Sequence, residues 1–200
     1  MKRWLTLVYI CALAAACGAT TNLVKTWRDP TYTGRNVKRV LVIALTPNQH
    51  NRQVFEYAMA SRLQAMKYQP FTGYDLLPRD QMADRAAIAD AVKRNGIEIV
   101  LVSKLVSVQT ETEYVPPAGA PPPGAYGFYP YYSAGYATVY SPGYVQEKQV
   151  VYLETNAYDA QKEQLIWSGI SKTFDYSSIE NISESVADKI TRTLVDQGVI

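Results

Sequence analysis

Histidine occurs once in the 200 residues, at His50, and cysteine twice, at Cys11 and Cys17. A Ser-His or Cys-His pair would have to use His50. Its nearest hydroxyl, Thr46, has no G-x-S-x-G turn around it, so a solvated place in the first turn of a helix suits His50 better. With so few soft ligands, the usual four-ligand metal count is not met, and no metal site is expected. Phosphate-cradling motifs are missing too: the apolar run 40–45 is followed by Thr46-Pro47-Asn48-Gln49, neither G-x-G-x-x-G nor a P-loop, so no cofactor is expected. No apolar run reaches the ~20 residues that span a bilayer as a helix; the N-terminal run over 4–13 holds ten.

What that N-terminus does hold is Lys2 and Arg3, the apolar run, and then Ala14-Ala15-Ala16-Cys17. Positive charge, a short apolar stretch and small residues in that order make a secretory signal peptide over 1–16. Small residues just before a cysteine resemble the lipobox of bacterial lipoproteins. The resemblance implies a lipidated Cys17 as the mature N-terminus, though Ala14 stands where Leu is preferred. Ordinary cleavage after Ala14-x-Ala16 would instead release a soluble chain. Cys11 leaves with the leader, so one mature molecule has no internal disulfide. Gly18, in place of the aspartate that retains such proteins at the inner membrane, implies the outer membrane, periplasmic face. Without Lys2 and Arg3 the 20 basic residues fall to 18, against 18 acidic ones. That balance removes the electrostatic case for nucleic acid and leaves acyl chains as the membrane contact.

The mature chain reads as a short tether, 17–21, and one α/β domain, 22–200. Leu23-Val24-Lys25-Thr26-Trp27 suits a strand, which leaves about five tether residues reaching less than ~20 Å. The β-branched run 40–45 suits a strand buried on both faces. Phe55, Met59, Leu63 and Met66 form a helical stripe after Pro47-Asn48, with Arg52 and Glu56 able to pair at i, i+4. A short strand at 69–72 is closed by Gly73. Asp80 is the expected N-cap of a second helix that stops at Asn95-Gly96. Another strand starts at Ile97 and runs in looser alternation to Tyr114. Two strands, 149–158 and 164–174, should form an antiparallel hairpin. The last helix should open on a capping box, Ser177-Ser178-Ile179-Glu180, and bury Ile179, Ile182, Val186, Ile190 and Leu194 before Gly198. The expected fold is a mixed, twisted sheet of five or six strands with three helices, β-β-α-β-α-β-insert-β-β-α.

Carboxylates are the remaining route to catalysis. Glu111 and Glu113 share one strand face, and Glu154 and Asp159 lie on a later strand. A pair held ~5–9 Å apart could hydrolyse a glycan, but solvated strand charges are the commoner arrangement. Trp27 and Trp167 suit sheet packing better than sugar platforms.

The unusual feature is the insert at 115–146, with seven of eleven prolines, five of eleven glycines and seven of sixteen tyrosines. Residues 124–144 carry no charge. The aromatics fall at gaps of one to four, so no helix or strand is expected to gather them, and Pro116-Pro117 and Pro121-Pro122-Pro123 favour polyproline II and oppose helix. The candidate partner-binding residues are Tyr126, Phe128, Tyr129, Tyr131, Tyr132, Tyr136, Tyr140 and Tyr144. If the core strands are parallel, the insert leaves from the carboxyl edge of the sheet, where α/β sheets bind ligands, and would be a lid. The plain reading is a loop with biased composition.

Trp27-Arg28-Asp29-Pro30, Arg52-x-x-Phe55-Glu56, Leu153-Glu154-Thr155-Asn156-x-Tyr158-Asp159 and Leu165-Ile166-Trp167-Ser168 together resemble an uncharacterised family of bacterial envelope lipoproteins with a domain of unknown function. The resemblance implies an address and a fold, and no catalytic residue. The expected function is a non-enzymatic, lipid-anchored module that binds an envelope protein or supports assembly, in an oligomeric state the sequence leaves open. Alternatives are an envelope hydrolase working through carboxylates, or a coat lipoprotein without a specific ligand.

Overall fold

The computed structural model describes residues 18–115, 127–140 and 143–200. In order these are β1 (Thr20–Arg28), β2 (Arg39–Leu45), α1 (Gln49–Ala65), β3 (Gln69–Thr72), the single turn α2 (Gly73–Leu76), a 3₁₀ turn (Arg79–Gln81) and α3 (Arg85–Asn95). Then come β4 (Ile99–Val115), α4 (Phe128–Tyr140), β5 (Tyr144–Asp159), β6 (Gln164–Phe174) and α5 (Ile179–Asp196). One mixed sheet of six strands, β1-β6-β5-β4-β2-β3, gives the α/β class expected. β2 runs parallel to β3 and β4, which requires crossover connections, and these carry α1 and then α2 and α3. β6 is antiparallel to both β1 and β5. Bonds from Ala160 N to Glu98 O, between Ser103 and Thr155, and between Lys104 and Glu154 step in opposite directions, so β4 and β5 are antiparallel as well.

β2 shows why the run of β-branched residues is needed. Val40, Val42 and Ala44 face α1 and α5, where they join Phe55, Met59, Leu63, Ile99, Leu101, Val186, Ile190 and Leu194. Leu41 and Ile43 face the other way, against Leu77, Ala91 and Ile97 on the α3 side. The sheet is thus covered by α1 and α5 on one face and by α3 on the other. Trp167 is fully buried in the first cluster, and its indole N–H donates to Gln197 at 2.6 Å. The indole lies so close over Gly169 that any Cβ there would collide with the ring. Trp27, on the edge strand β1, stays 45% exposed.

Several boundaries move. α3 is capped by Asp84, whose carboxylate accepts from Ala86 N, and not by Asp80, which sits in the 3₁₀ turn after Pro78. α5 is capped one residue later than expected: the Ser178 hydroxyl accepts from Asn181 N, while the Ser177 hydroxyl is engaged by the Asn181 side chain. β1 begins at Thr20, leaving Gly18 and Ala19 as the only described residues before it. β4 stays in strand for 11 residues past Lys104, where its ladder with β2 ends. Finally, the insert holds a helix, α4, that the irregular tyrosine spacing argued against.

Contacts divide the chain into Met1–Ser107 with Val151–Ile200, and Val108–Val150. The first unit holds the helices α1, α2, α3 and α5 and the two buried clusters. The second holds α4, the C-terminal part of β4 and the N-terminal part of β5.

Candidate functional site

In the first unit one ion pair is built into the fold. Arg52 and Glu56 do pair at i, i+4, but inside the protein, 1% and 0% exposed. Glu56 Oε1 accepts from Arg52 Nε at 3.1 Å and from Ala44 N at 2.8 Å; its Oε2 accepts from Tyr74 N at 2.6 Å. Arg52 also donates to Leu77 O at 3.2 Å and lies over the Tyr74 ring. Burial pushes the Glu56 carboxyl up, against the pull of the Ala44 and Tyr74 amides and of Arg52. The pair therefore locks the end of β2 to α1 and α2, a structural clamp with every charge satisfied.

The carboxylates singled out for hydrolysis are engaged in the same way. Glu154 meets Lys104 at 3.1 Å and accepts from Asn156 Nδ2 at 2.8 Å, and these two contacts hold its carboxyl below its ordinary value. A general acid needs the opposite shift. Asp159 is buried, accepts from the Gln161 and Lys162 amides, and pairs with Arg35 at 2.7 Å. That is how an aspartate caps a turn. Glu113, which belongs to the second unit, pairs with Lys148 at 2.9 Å. His50 is exposed in the first turn of α1 and lies 3.6 Å from Glu180, which suits a solvated residue better than a catalytic base. Among the described residues, no group of three or more His, Cys, Asp or Glu could hold a metal ion.

The second unit is different. α4 starts after Gly127, which adopts φ 149°, a conformation side chains rarely take. Pro130 sits in the first turn, where a helix has no use for its missing N–H, and Tyr131 N closes the first bond to Gly127 O at 3.1 Å. The helix then gathers the aromatics. Phe128 and Tyr132 stack at 5.9 Å between centroids, Tyr132 and Tyr136 lie 6.3 Å apart, and Tyr136 and Tyr140 stack at 4.2 Å. Tyr129 adds an edge-on contact to Phe128 at 5.2 Å. These five rings are 54–80% exposed, as is Val139 at 71%. Ala134 is buried.

The structure thus joins Phe128, Tyr129, Tyr132, Tyr136 and Tyr140 in one aromatic ladder. Tyr131 is exposed on the same helix but outside the stack, and Tyr144 begins β5. Tyr126 and Cys17 lie outside the described residues. The sequence reading missed Val139 and, above all, the recurrence at every fourth residue from Phe128 to Tyr140, which was there to be counted. Such a surface can stack on rings or lie against apolar area while its phenol hydroxyls bond outward. At 13 residues α4 is about 20 Å long, too short to cross a ~30 Å hydrocarbon layer.

No family model matches the chain. No curated protein matches it either. Among solved structures it is similar to the PelC dodecamer from Paraburkholderia phytofirmans, at 14% identity over 88% of this chain and 96% of that one, TM-score 0.47. It is also similar to lipoprotein GNA1162 from Neisseria meningitidis, at 13% identity over 80% and 99%, TM-score 0.42. A third is a putative neuraminyllactose-binding hemagglutinin homolog from Helicobacter pylori, at 14% identity over 83% and 90%, TM-score 0.41. Likeness at this distance does not carry function from one protein to another.

Proposed function

We propose that this protein is a lipid-anchored, non-enzymatic envelope module, acylated at Cys17 in the manner of the lipoproteins its motifs resemble, that binds an envelope protein through the aromatic face of α4. The observation that carries the reading is the exposed ladder Phe128, Tyr132, Tyr136, Tyr140 on a helix without a charged residue. A solvated helix of this kind has no electrostatic reason to stay in water, and its rings offer rigid contact area at low entropic cost. Glu113, Glu154 and Asp159, the carboxylates weighed for hydrolysis, are each held by a structural partner, which favours binding over hydrolysis. The outer membrane, periplasmic face, is the address proposed from Gly18.

The experiment is photo-crosslinking in intact cells, with a benzophenone amino acid at Tyr136 and, as a control, at the exposed Arg94 of α3. A discrete heavier species from position 136 that is missing from position 94 is the expected result. Identical patterns from both positions would overturn the binding role of α4.

A further inference from the structure

The chain that precedes the described residues ends at Cys17, and very little separates it from the folded body. β1 is already paired at Thr20, opposite Phe174. The Ala19 carbonyl accepts from the Ser185 hydroxyl of α5 at 2.8 Å, so the backbone is fastened to the helix one residue before the strand. Only Gly18 is left between that bond and Cys17. The Cys17 Cα is therefore within about 8 Å of the Ala19 Cα, two virtual bonds of ~3.8 Å. A thioether-linked glycerol rests at the lipid–water boundary, and the headgroup layer above it is only ~5–8 Å deep. A body held that closely has no room to stand off.

From this we infer that the surface around Gly18 is the face the domain lays against lipid headgroups, an inference that rests on the acylation of Cys17 proposed above. Beside Gly18 lies a polar cleft lined by Arg62 of α1 and by Glu184, Ser185, Asp188, Lys189 and Arg192 of α5. Its cations are partly spent, since Arg62 and Arg192 both reach Asp188, at 3.5 and 3.0 Å. Arg62, Lys189 and Arg192 against Glu184 and Asp188 is close to balance. Contact is consequently set by the length of the tether and not by charge attraction, and it should survive raised salt. The helical layer of α1 and α5 faces the bilayer. α3, on the opposite face of the sheet, points into the periplasm.

The test uses the full-length, acylated protein in phosphatidylethanolamine–phosphatidylglycerol vesicles that contain headgroup spin-labelled lipid. The thiol of an acylated Cys17 is blocked, so a fluorophore can be placed singly through Glu184→Cys or Arg94→Cys. The label at 184 is expected to be quenched several-fold more than the label at 94, at low and high salt alike. A Gly/Ser linker of about 20 residues between Gly18 and Ala19, with an r.m.s. reach of ~25 Å, should bring the 184 signal down to that at 94 without loss from the membrane. Equal quenching at the two positions in the native-length protein overturns the proposed surface. The intact mass of the mature chain tests the anchor separately: an unmodified Cys17 overturns the acylation, whatever the labels report.

Discussion

In α5, Ile182, Val186, Ile190 and Leu194 recur at every fourth residue, and all four are buried. In α4, Phe128, Tyr132, Tyr136 and Tyr140 recur at the same interval, and all four are exposed. A four-residue repeat says only that the side chains share one helix face. Which way that face points depends on the rest of the helix. α5 carries Glu180, Glu184, Asp188, Lys189 and Arg192 on its other faces, so the aliphatic stripe must turn inward. α4 has no charge to set a wet face against a dry one, and its rings meet one another instead of a core. Stacked aromatic pairs are worth ~0.5–1.5 kcal/mol each beyond burial, and a buried aliphatic side chain ~1.5–3 kcal/mol. The body is held together by what it hides, and α4 is organised by what it shows.

The body's clamp offers the strongest attack on that contrast. Glu56→Ala leaves Arg52 buried without its counter-charge and frees the Ala44 and Tyr74 amides, so a loss of ~3–5 kcal/mol is expected in urea unfolding. A loss below about 1 kcal/mol would mean the interior is far wetter than its burial implies. The two helices can then be compared directly. Ile190→Ala, at a fully buried position, should cost ~2–5 kcal/mol. Tyr136→Ala removes one stacked and one tilted ring contact on an exposed face and should cost only ~1 kcal/mol, while a benzophenone amino acid moved to Tyr132 in that variant should no longer crosslink. Equal losses at the two positions would show that α4 is a stability element in its own right, and the contrast would fail.

Most of the body could be read in advance because its signals are local. The apolar run of β2, the stripe of α5, the Asn48 cap and the left-handed stop at Gly96 each carry their cause within a few residues. Arg52 and Glu56 were legible as a pair, but not as a buried one, since their burial is imposed by Tyr74 and Leu77 from a later turn. Asp80 and Asp84 are chemically identical candidates for a cap, and only the 3₁₀ turn after Pro78 decides between them. In the insert, the bias toward proline and glycine obscures the interval of four from Phe128 to Tyr140. Pro130 falls in the first turn of α4, where a proline breaks nothing.

The weakest expected effect asks whether exposure, and not membership of the body, sets the worth of a contact. Glu154 and Lys104 pair on the sheet with side chains 26% and 53% exposed. The Asn156 amide and the Lys104 ammonium hold the Glu154 carboxyl below its ordinary value, so between its folded and unfolded pKa the unfolded chain binds more protons. The stability it adds is present above the unfolded value of ~4.3 and is lost as pH falls through the folded one. Glu154→Gln removes that titration. Wild type should therefore lose more stability than the variant between about pH 5 and pH 3, by under ~1 kcal/mol, because water screens a half-exposed pair. Matched urea titrations across that range read the difference. Coinciding slopes would leave the carboxylate without influence. A gap of several kcal/mol would put an exposed contact on a level with the buried clamp at Glu56, and the division between hidden and displayed contacts would no longer describe this protein.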